Sequence, residues 1–333
     1  MLGLDLLFPT GVLILAVLLV NGWTDAPNAI ATAVATGALP FRRAVLLAAA
    51  CNLAGVLWAY AFHSAVTDTI YSLFRFDGPS PQARAALCAA LCAIVLWAVL
   101  AWRFGVPTSE SHALAAGLTG AALALPGGLS NVSSGAWYKL LLGLVLSLGL
   151  GIPAGKVVLN LLSRLALPKG LCCLGLRISA ALNAFLHGAQ DGQKFLGILL
   201  LCVFWVQGAP PSNDSSIISW APALLCGATM ALGTGLGGRR IIDTVGRDMV
   251  PLTPRAGLAA DLGCGACLLL CTLAGLPVST THVKTAAILG AGRAASGEAN
   301  YRVIWRILLT WLFTFPGCGL LGFFLTRIFL LPD

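Results

Sequence analysis

Residues 105–112 have the sequence Gly-Val-Pro-Thr-Ser-Glu-Ser-His, and residues 275–282 have the sequence Gly-Leu-Pro-Val-Ser-Thr-Thr-His. In each stretch a proline is followed by hydroxyl residues and a histidine, and an apolar run continues beyond it. Proline suits the first turn of a helix, where its missing N–H leaves no hydrogen bond unmade. We therefore predict two broken or re-entrant helices, near residues 106–125 and 277–292, that begin inside the protein with donor-rich starts.

The composition around these stretches is that of an integral membrane protein. Of the 333 residues, 58% are hydrophobic and 10% are charged, whereas soluble domains have roughly 25% charged residues. The formal net charge of +8 is attributed to basic cytoplasmic loops and not to an anionic partner such as nucleic acid. Disordered and nucleic-acid-binding classes are therefore excluded.

Long apolar runs predict membrane-spanning helices, each of which needs about 20 residues. The runs lie near residues 4–21, 44–63, 85–103, 137–162, 178–206, 217–236, 256–276 and 303–330. Together with the two shorter helices and a polar interruption within residues 21–28, they predict an all-α integral membrane protein with about 10–12 transmembrane segments.

The distribution of basic residues predicts the orientation of these spans. Basic residues cluster at Arg42–Arg43 and within residues 156–177 and 239–255, whereas the loops 126–135 and 207–216 contain no Lys or Arg. Because basic loops stay on the cytoplasmic side, we expect the three clusters to be cytoplasmic and the two bare loops to be external.

A second pair of stretches extends the internal repeat. Residues 21–28, Asn-Gly-Trp-Thr-Asp-Ala-Pro-Asn, correspond to residues 187–194, His-Gly-Ala-Gln-Asp-Gly-Gln-Lys. Asp25 and Asp191 are 166 residues apart, close to the 170 that separate His112 from His282. We expect a helix break at each Gly-x-x-Asp stretch and, from the predicted orientation, two repeats of inverted topology. Inverted repeats with paired broken helices are typical of alternating-access transporters that bind their substrate near the midplane.

The expected organisation has four parts. They are a first inverted repeat (1–135), a linking transmembrane helix with a basic cytoplasmic loop (136–177), a second inverted repeat (178–295) and a C-terminal transmembrane helix (296–333).

The hydroxyl residues at the two helix starts predict an anion site. A helix start has free N–H groups and a partial positive charge, which together bind phosphate or sulfate. The candidate ligands are Thr108, Ser109, Ser111, Ser279, Thr280 and Thr281. The alternative is that these hydroxyls only cap buried helix ends.

Carboxylates inside the apolar spans predict a site for a co-transported cation or proton. A charged group within the membrane is costly and is usually functional. Asp25 and Asp191 are therefore expected to hold a co-transported cation, such as sodium, or a proton, with helix-start capping as the alternative. Glu110 is either a protonation site or a cation ligand, and Asp261, inside an apolar helix, is a second-tier candidate.

Several neighbours are expected to support these two sites. Asn28 and Lys194 each follow an aspartate by three residues. Asn28 is a further candidate phosphate ligand, and Lys194 either binds phosphate or neutralises Asp191. His112 and His282 are expected to orient the hydroxyl loops or to relay a proton. Lys284 either snorkels to the membrane surface or adds positive potential near the site.

The motifs resemble those of the inorganic phosphate transporter (PiT) family over nearly the whole chain. Residues 276–284, Leu-Pro-Val-Ser-Thr-Thr-His-Val-Lys, contain that family's Pro-Val-Ser-Thr-Thr-His segment, and residues 187–194 resemble its Gly-x-Asn-Asp-x-x-Asn-Ala motif as found in the bacterial low-affinity branch. The resemblance implies two inverted repeats, phosphate uptake coupled to sodium or protons, and a homodimer. It also implies a multi-pass protein of the bacterial inner membrane.

Two departures from the family pattern bear on the coupling ion. Thr24 and Gln190 occupy the positions before the aspartates where the family has Asn, so that Asn21, Thr24 and Gln190 form a changed polar surrounding. Glu110 interrupts the first hydroxyl segment. These changes leave sodium and proton coupling open.

The leading hypothesis is a phosphate symporter without a cofactor other than the co-transported ion. A sulfate permease of the same fold is the nearest alternative, and a passive channel is a further one. A membrane-embedded hydrolase would use Ser109 with His112 or Ser279 with His282, which are three residues apart. Duplication of the whole motif argues against an enzyme, since an active site seldom needs two related copies.

Overall fold

The structure, a computed structural model, describes residues 7–63, 65–73, 80–207, 220–236 and 238–331. Apart from Gln207, the expected external loop 207–216 lies outside these residues. Within the described part the helices are α1 (Leu7–Thr24), α2 (Pro27–Ala35), α3 (Phe41–Phe62), α4 (Ala65–Tyr71), α5 (Pro81–Arg103), α6 (Glu110–Ala124), α7 (Ser134–Ser163), α8 (Lys169–Gln207), α9 (Ala221–Leu236), α10 (Arg239–Asp243), α11 (Pro254–Leu273), α12 (Thr280–Ser296) and α13 (Tyr301–Phe329). The all-α prediction is confirmed, and the described part of each predicted apolar run lies mainly on a helix.

Seven spans in the described residues are long and apolar enough to cross a membrane. An eighth is added if α9 and Arg239–Asp248, which meet at 69°, count as one bent span. The expectation of about 10–12 segments also included the shorter broken helices. Of these, α6 has 15 residues and is almost entirely buried within the protein. Helix α12 has 17 residues and is buried over most of its length, but residues 293–296 at its end are exposed.

The first predicted helix break is present, and the second is wrong. In the first half, α1 ends at Thr24 and α2 begins at Pro27, although the two helices together form one span, Pro9–Ala35. In the second half α8 continues without interruption from Lys169 to Gln207. The physical reason is the residue at the position of Pro27: the second half has Gln193, whose side-chain amide donates to Ala189 O at 2.9 Å. A proline would remove a helical N–H and break the helix, whereas Gln193 allows the helix to continue.

The two helices that begin at the hydroxyl segments, α6 and α12, are called the hydroxyl helices below. Helix α6 of the first half packs along α13, which comes after the second half in the sequence, and α12 of the second half packs along α7, which comes after the first half. Small residues allow close backbone approach: a methyl group at Gly120 would overlap the carbonyl of Gly319. This close packing of small residues is typical of helix pairs in membranes. The outer face of α13 exposes large apolar side chains such as Trp305 and Phe324, as expected of a surface in contact with lipid.

Candidate functional site for an anion and a cation

The four motif stretches converge in one buried polar cluster between the two halves. Asn28 Nδ2 donates to Thr281 Oγ1 at 3.3 Å, and Lys194 Nζ donates to Ser111 Oγ at 2.7 Å. Each of these bonds joins an aspartate stretch of one half to the hydroxyl segment of the other. The paired stretches predicted from the sequence therefore lie together in space.

Each hydroxyl helix begins in the same way. The preceding helix ends in a turn at Gly105 or Gly275, both with φ of +65°, a conformation that favours glycine. The proline segment that follows is closed by a serine cap: Ser109 Oγ accepts from His112 N at 3.4 Å, and Ser279 Oγ accepts from His282 N at 3.2 Å. Both serines therefore cap their helix starts. A cap uses only lone pairs of the oxygen, so each hydroxyl hydrogen stays available to an anion.

The other predicted hydroxyl ligands are also buried. Ser111 and Thr281 accept bonds from Lys194 and Asn28, as described above, and Thr280 Oγ1 donates to Asp191 Oδ2 at 3.3 Å. Thr108 lies 3.3 Å from the hydroxyl of Thr314 on α13. The six hydroxyl side chains are at most 5% exposed.

Asp191, in the second half, has partners from both halves of the chain. Its Oδ1 accepts from Lys194 Nζ at 2.6 Å, and its Oδ2 accepts from Asn21 Nδ2 at 3.3 Å. His187 Nε2 is 3.4 Å from the same Oδ2. Nearby, Gln190 Nε2 donates to Leu276 O at 2.9 Å, which ties α8 to the second hydroxyl segment. The chain thus supplies Asp191 with its own positive partner.

Asp25 and Glu110 form a contrasting pair in the first half. Asp25 Oδ2 accepts from Glu110 N at 3.4 Å, and Glu110 Oε1 accepts from Thr24 Oγ1 at 2.6 Å. Asp25 Oδ1 and Glu110 Oε2 are buried and have no hydrogen-bond partner within the described residues. Neither carboxyl group forms an ion pair with a described Lys, Arg or His.

Asp261 and Lys284 form a second buried polar cluster. Lys284 Nζ lies 2.5 Å from Asp261 Oδ1 and also donates to Ala29 O at 3.2 Å. Asp261 further accepts from Thr32 Oγ1 at 2.5 Å and from Ser179 Oγ at 2.8 Å. The alternative that Lys284 snorkels is wrong, because it is 2% exposed and its counter-ion is buried.

A cavity of about 10 Å³ lies between the two polar clusters. It is lined by Asn28 and Thr280 on one side and by Asn183 and Lys284 on the other. A volume of about 10–15 Å³ is the minimum for one water molecule.

The rings of the two motif histidines, His112 and His282, pack against each other. Their ring centroids are 4.3 Å apart in an edge-to-face arrangement. The His282 ring also packs on Trp311 at 3.6 Å, and the His112 ring packs on Phe315 at 4.6 Å. None of the four ring nitrogens has a hydrogen-bond partner within the described residues. The serine hydroxyls cap backbone N–H groups and do not bond the imidazoles, so the geometry lacks the Ser–His contact that a hydrolase needs.

Several supporting residues were not found by the sequence analysis. Trp311 Nε1 donates to Pro107 O at 3.0 Å, and Ser147 Oγ accepts from Ser279 N at 3.2 Å. Asn52 Oδ1 lies 2.9 Å from His187 Nδ1. Ser147 and Asn52 could have been found from the sequence, because each is a polar residue inside an apolar helix. Trp311 gave none, because tryptophan is common in membrane helices.

Comparison with known proteins agrees with this geometry. The sequence model of the Phosphate transporter family matches residues 21–173 and residues 169–322. The chain is 32% identical over 321 residues to a probable low-affinity inorganic phosphate transporter of Bacillus subtilis (strain 168), which covers 93% of this chain and 94% of that protein. It is 34% identical over 332 residues to the protein of the same description in Rhizobium meliloti (strain 1021), which covers 95% and 96%.

A solved structure has the same fold. It is described as the sodium-dependent phosphate transporter, and it matches with a TM-score of 0.85 and 22% sequence identity over 97% of this chain and 98% of that one. Fold and site define a multi-pass membrane transporter of the plasma membrane and not an enzyme. The chain belongs to the phosphate transporter family, as the motifs predicted.

Proposed function

We propose that the protein is a secondary active symporter that carries inorganic phosphate across the plasma membrane together with a sodium ion or a proton. The observation that carries this proposal is the pair Asp25 and Glu110, which are 2% and 1% exposed and lack a basic partner within the described residues. A positive companion bound there would offset their charge and link anion binding to an ion gradient.

The two hydroxyl helix starts are the proposed phosphate ligands. Both starts are buried, and each carries the partial positive charge of a helix N-terminus, which favours an anion. The hydroxyls of Ser109, Ser111 and Ser279 accept hydrogen bonds in this structure, so each retains its own hydrogen to donate. The partnerless ring nitrogens of His112 and His282 lie beside these starts and supply further polar contacts.

Two observations bear on the identity of the coupling ion. The solved structure of the same fold is described as sodium-dependent, which supports sodium. Glu110 stands where the second half has Thr280, and a carboxyl group in place of a hydroxyl supports a proton. The protein carries no other cofactor in this proposal, and its association as a homodimer stays a prediction from the family resemblance.

Sulfate is the alternative substrate, because it is also a tetrahedral oxyanion. Phosphate still carries a proton at neutral pH and can donate it to a carboxylate, whereas sulfate meets the carboxylates of Asp25, Glu110 and Asp191 only as an acceptor. The descriptions of the relatives in Bacillus subtilis and Rhizobium meliloti also favour phosphate.

Uptake of labelled phosphate into proteoliposomes tests the proposal. The purified protein is exposed to an inward sodium gradient at equal pH and, separately, to an inward proton gradient without sodium. We expect accumulation above equilibrium under one gradient, blocked by unlabelled phosphate and not by equal sulfate. Equilibration without accumulation under both gradients would identify a passive pathway, and equal block by sulfate would identify an oxyanion permease.

A further inference from the structure

The two halves of the site treat one equivalent position differently. Lys194 follows Asp191 by three residues, as Asn28 follows Asp25. Their contacts are also equivalent: Lys194 donates to Ser111 and Asn28 donates to Thr281, hydroxyl residues that are themselves 170 residues apart. In both cases the hydrogen bond runs from the aspartate stretch of one half to the hydroxyl segment of the other half. The donor is an ammonium in the second half and a neutral amide in the first half.

The Lys194 ammonium lies in a shell of three oxygen atoms. It is 2.6 Å from the Asp191 carboxylate, 2.7 Å from the Ser111 hydroxyl and 2.6 Å from the Val278 carbonyl. Carboxylate, hydroxyl and carbonyl oxygens are the ligands that hard cations take in proteins. An ammonium has three hydrogens to donate, so these contacts use all of them. The side chain is 1% exposed and belongs to the largest fully buried side chains of the described chain.

Buried oxygen atoms also lie around Asp25 at the equivalent place in the first half, but no basic side chain of the described residues forms an ion pair with them. Asn28 Nδ2 donates to the backbone carbonyl of Asp25 at 3.0 Å, so the two residues are adjacent. Asn28 Oδ1, Asp25 Oδ1 and Glu110 Oε2 are all buried and without a hydrogen-bond partner within the described residues. Acceptor atoms left this way are costly unless a donor or a cation meets them.

We propose that the Lys194 ammonium is a built-in cation that fills the coupling-ion position of the second half, so that the protein takes its mobile cation only in the first half, beside Asp25 and Glu110. This inference rests on the proposed symport and specifies it further. Asp191 then adds nothing to the number of ions carried per phosphate, because Lys194, which is part of the chain, neutralises its charge at every step of transport.

Lys194→Met is the direct test, because methionine fills much of the space and removes the charge. With the ammonium gone, Asp191 needs a positive companion from solution. We expect Lys194→Met to move one more positive charge per phosphate than the wild type, measured from the reversal potential of labelled phosphate flux in proteoliposomes. An unchanged ratio in a transporting Lys194→Met variant would overturn the inference.

Two further variants separate charge from shape. Lys194→Arg keeps the positive charge, and Asp191→Asn/Lys194→Met removes both charges while it keeps the shape of the single variant. Both should retain the charge-to-phosphate ratio of the wild type wherever they transport. A change of one charge in the double variant would overturn the inference even if Lys194→Met does not fold.

A binding measurement keeps the inference separate from the proposed function. Apparent Tm is measured in detergent without phosphate as sodium chloride replaces choline chloride, and again with lithium chloride and over a pH series. The first-half site should give the wild type and the double variant one saturable rise in Tm with the coupling ion. Lys194→Met should gain a second saturable rise, with a cation or with protons, in addition to that one. Absence of that gain would refute the inference whether or not the wild type accumulates phosphate, whereas failure of wild-type accumulation refutes only the proposed symport.

Discussion

Asp191 has a positive partner within the chain, whereas Asp25 has no basic partner within the described residues. Asp191 pairs with Lys194 at 2.6 Å, but Asp25 has Glu110 as its neighbour and one carboxylate oxygen without a partner within the described residues. A buried charge without a counter-ion is strongly unfavourable. The same residue type thus has two different chemical roles at equivalent positions of the repeat.

This contrast predicts the effect of Asp25→Asn. Loss of the carboxylate removes the attraction for the cation, so gradient-driven phosphate accumulation should fall at least about tenfold, equivalent to about 1.4 kcal/mol. Exchange of labelled for unlabelled phosphate without a gradient should persist, because the hydroxyl helices are unchanged. Asp243→Asn is the control: Asp243 pairs with Arg247 at 2.8 Å on an exposed segment, and uptake should stay near the wild-type rate. Normal accumulation by Asp25→Asn would remove this carboxylate from coupling.

At the scale of elements, one residue decides whether a helix breaks. Pro27 separates α1 from α2, whereas Gln193 at the equivalent position lies inside the continuous helix α8. Gln193 also receives a bond from Val66 N at 3.1 Å through its Oε1. The second half can therefore hold Asp191 and Lys194 on a rigid helix, while the first half holds Asp25 at an interruption.

Gln193→Pro is predicted to destabilise the protein by about 3 kcal/mol or more, because it removes a helical N–H and its ring clashes with the preceding turn. Gln193→Ala is the matched control, since it loses the side-chain contacts but keeps the helix. Apparent Tm in detergent should fall clearly further for the proline variant than for the alanine variant. Equal Tm values would mean that α8 tolerates a break here.

At the scale of the whole molecule, the two halves are held together by exchanged packing. Helix α13 follows the second half but packs along α6 of the first, and α7 follows the first half but packs along α12 of the second. Through Trp311 and Ser147 these long helices also hold the segments that precede the hydroxyl helices. Any movement of α6 must therefore involve α13, and any movement of α12 must involve α7.

Gly120→Ala tests this packing. Its methyl group would overlap the Gly319 carbonyl of α13, so both apparent Tm and phosphate uptake should fall, with a cost of about 1–3 kcal/mol from overpacking. Gly149→Ala is the control on α7: no atom lies within 4 Å of its added methyl group, and alanine is the better helix former. We expect Gly149→Ala to match or exceed the wild-type Tm. Equal stability of both variants would contradict the close approach of α6 and α13.

The all-α membrane fold, the family and the candidate site residues followed from the sequence alone. The signals were the apolar runs, the two proline-hydroxyl-histidine stretches and the spacing of Asp25 and Asp191, which are local and repeat along the chain. Only the tertiary structure decided that Lys194 pairs with Asp191, that Lys284 pairs with Asp261, and that Asp25 faces Glu110 without a basic partner in the described residues. Lys194 and Asp191 lie three residues apart on α8, but the sequence left open whether Lys194 binds phosphate or neutralises Asp191. The other two pairings join segments that are far apart in the chain, and their distance is set by helix packing, which local sequence patterns do not specify.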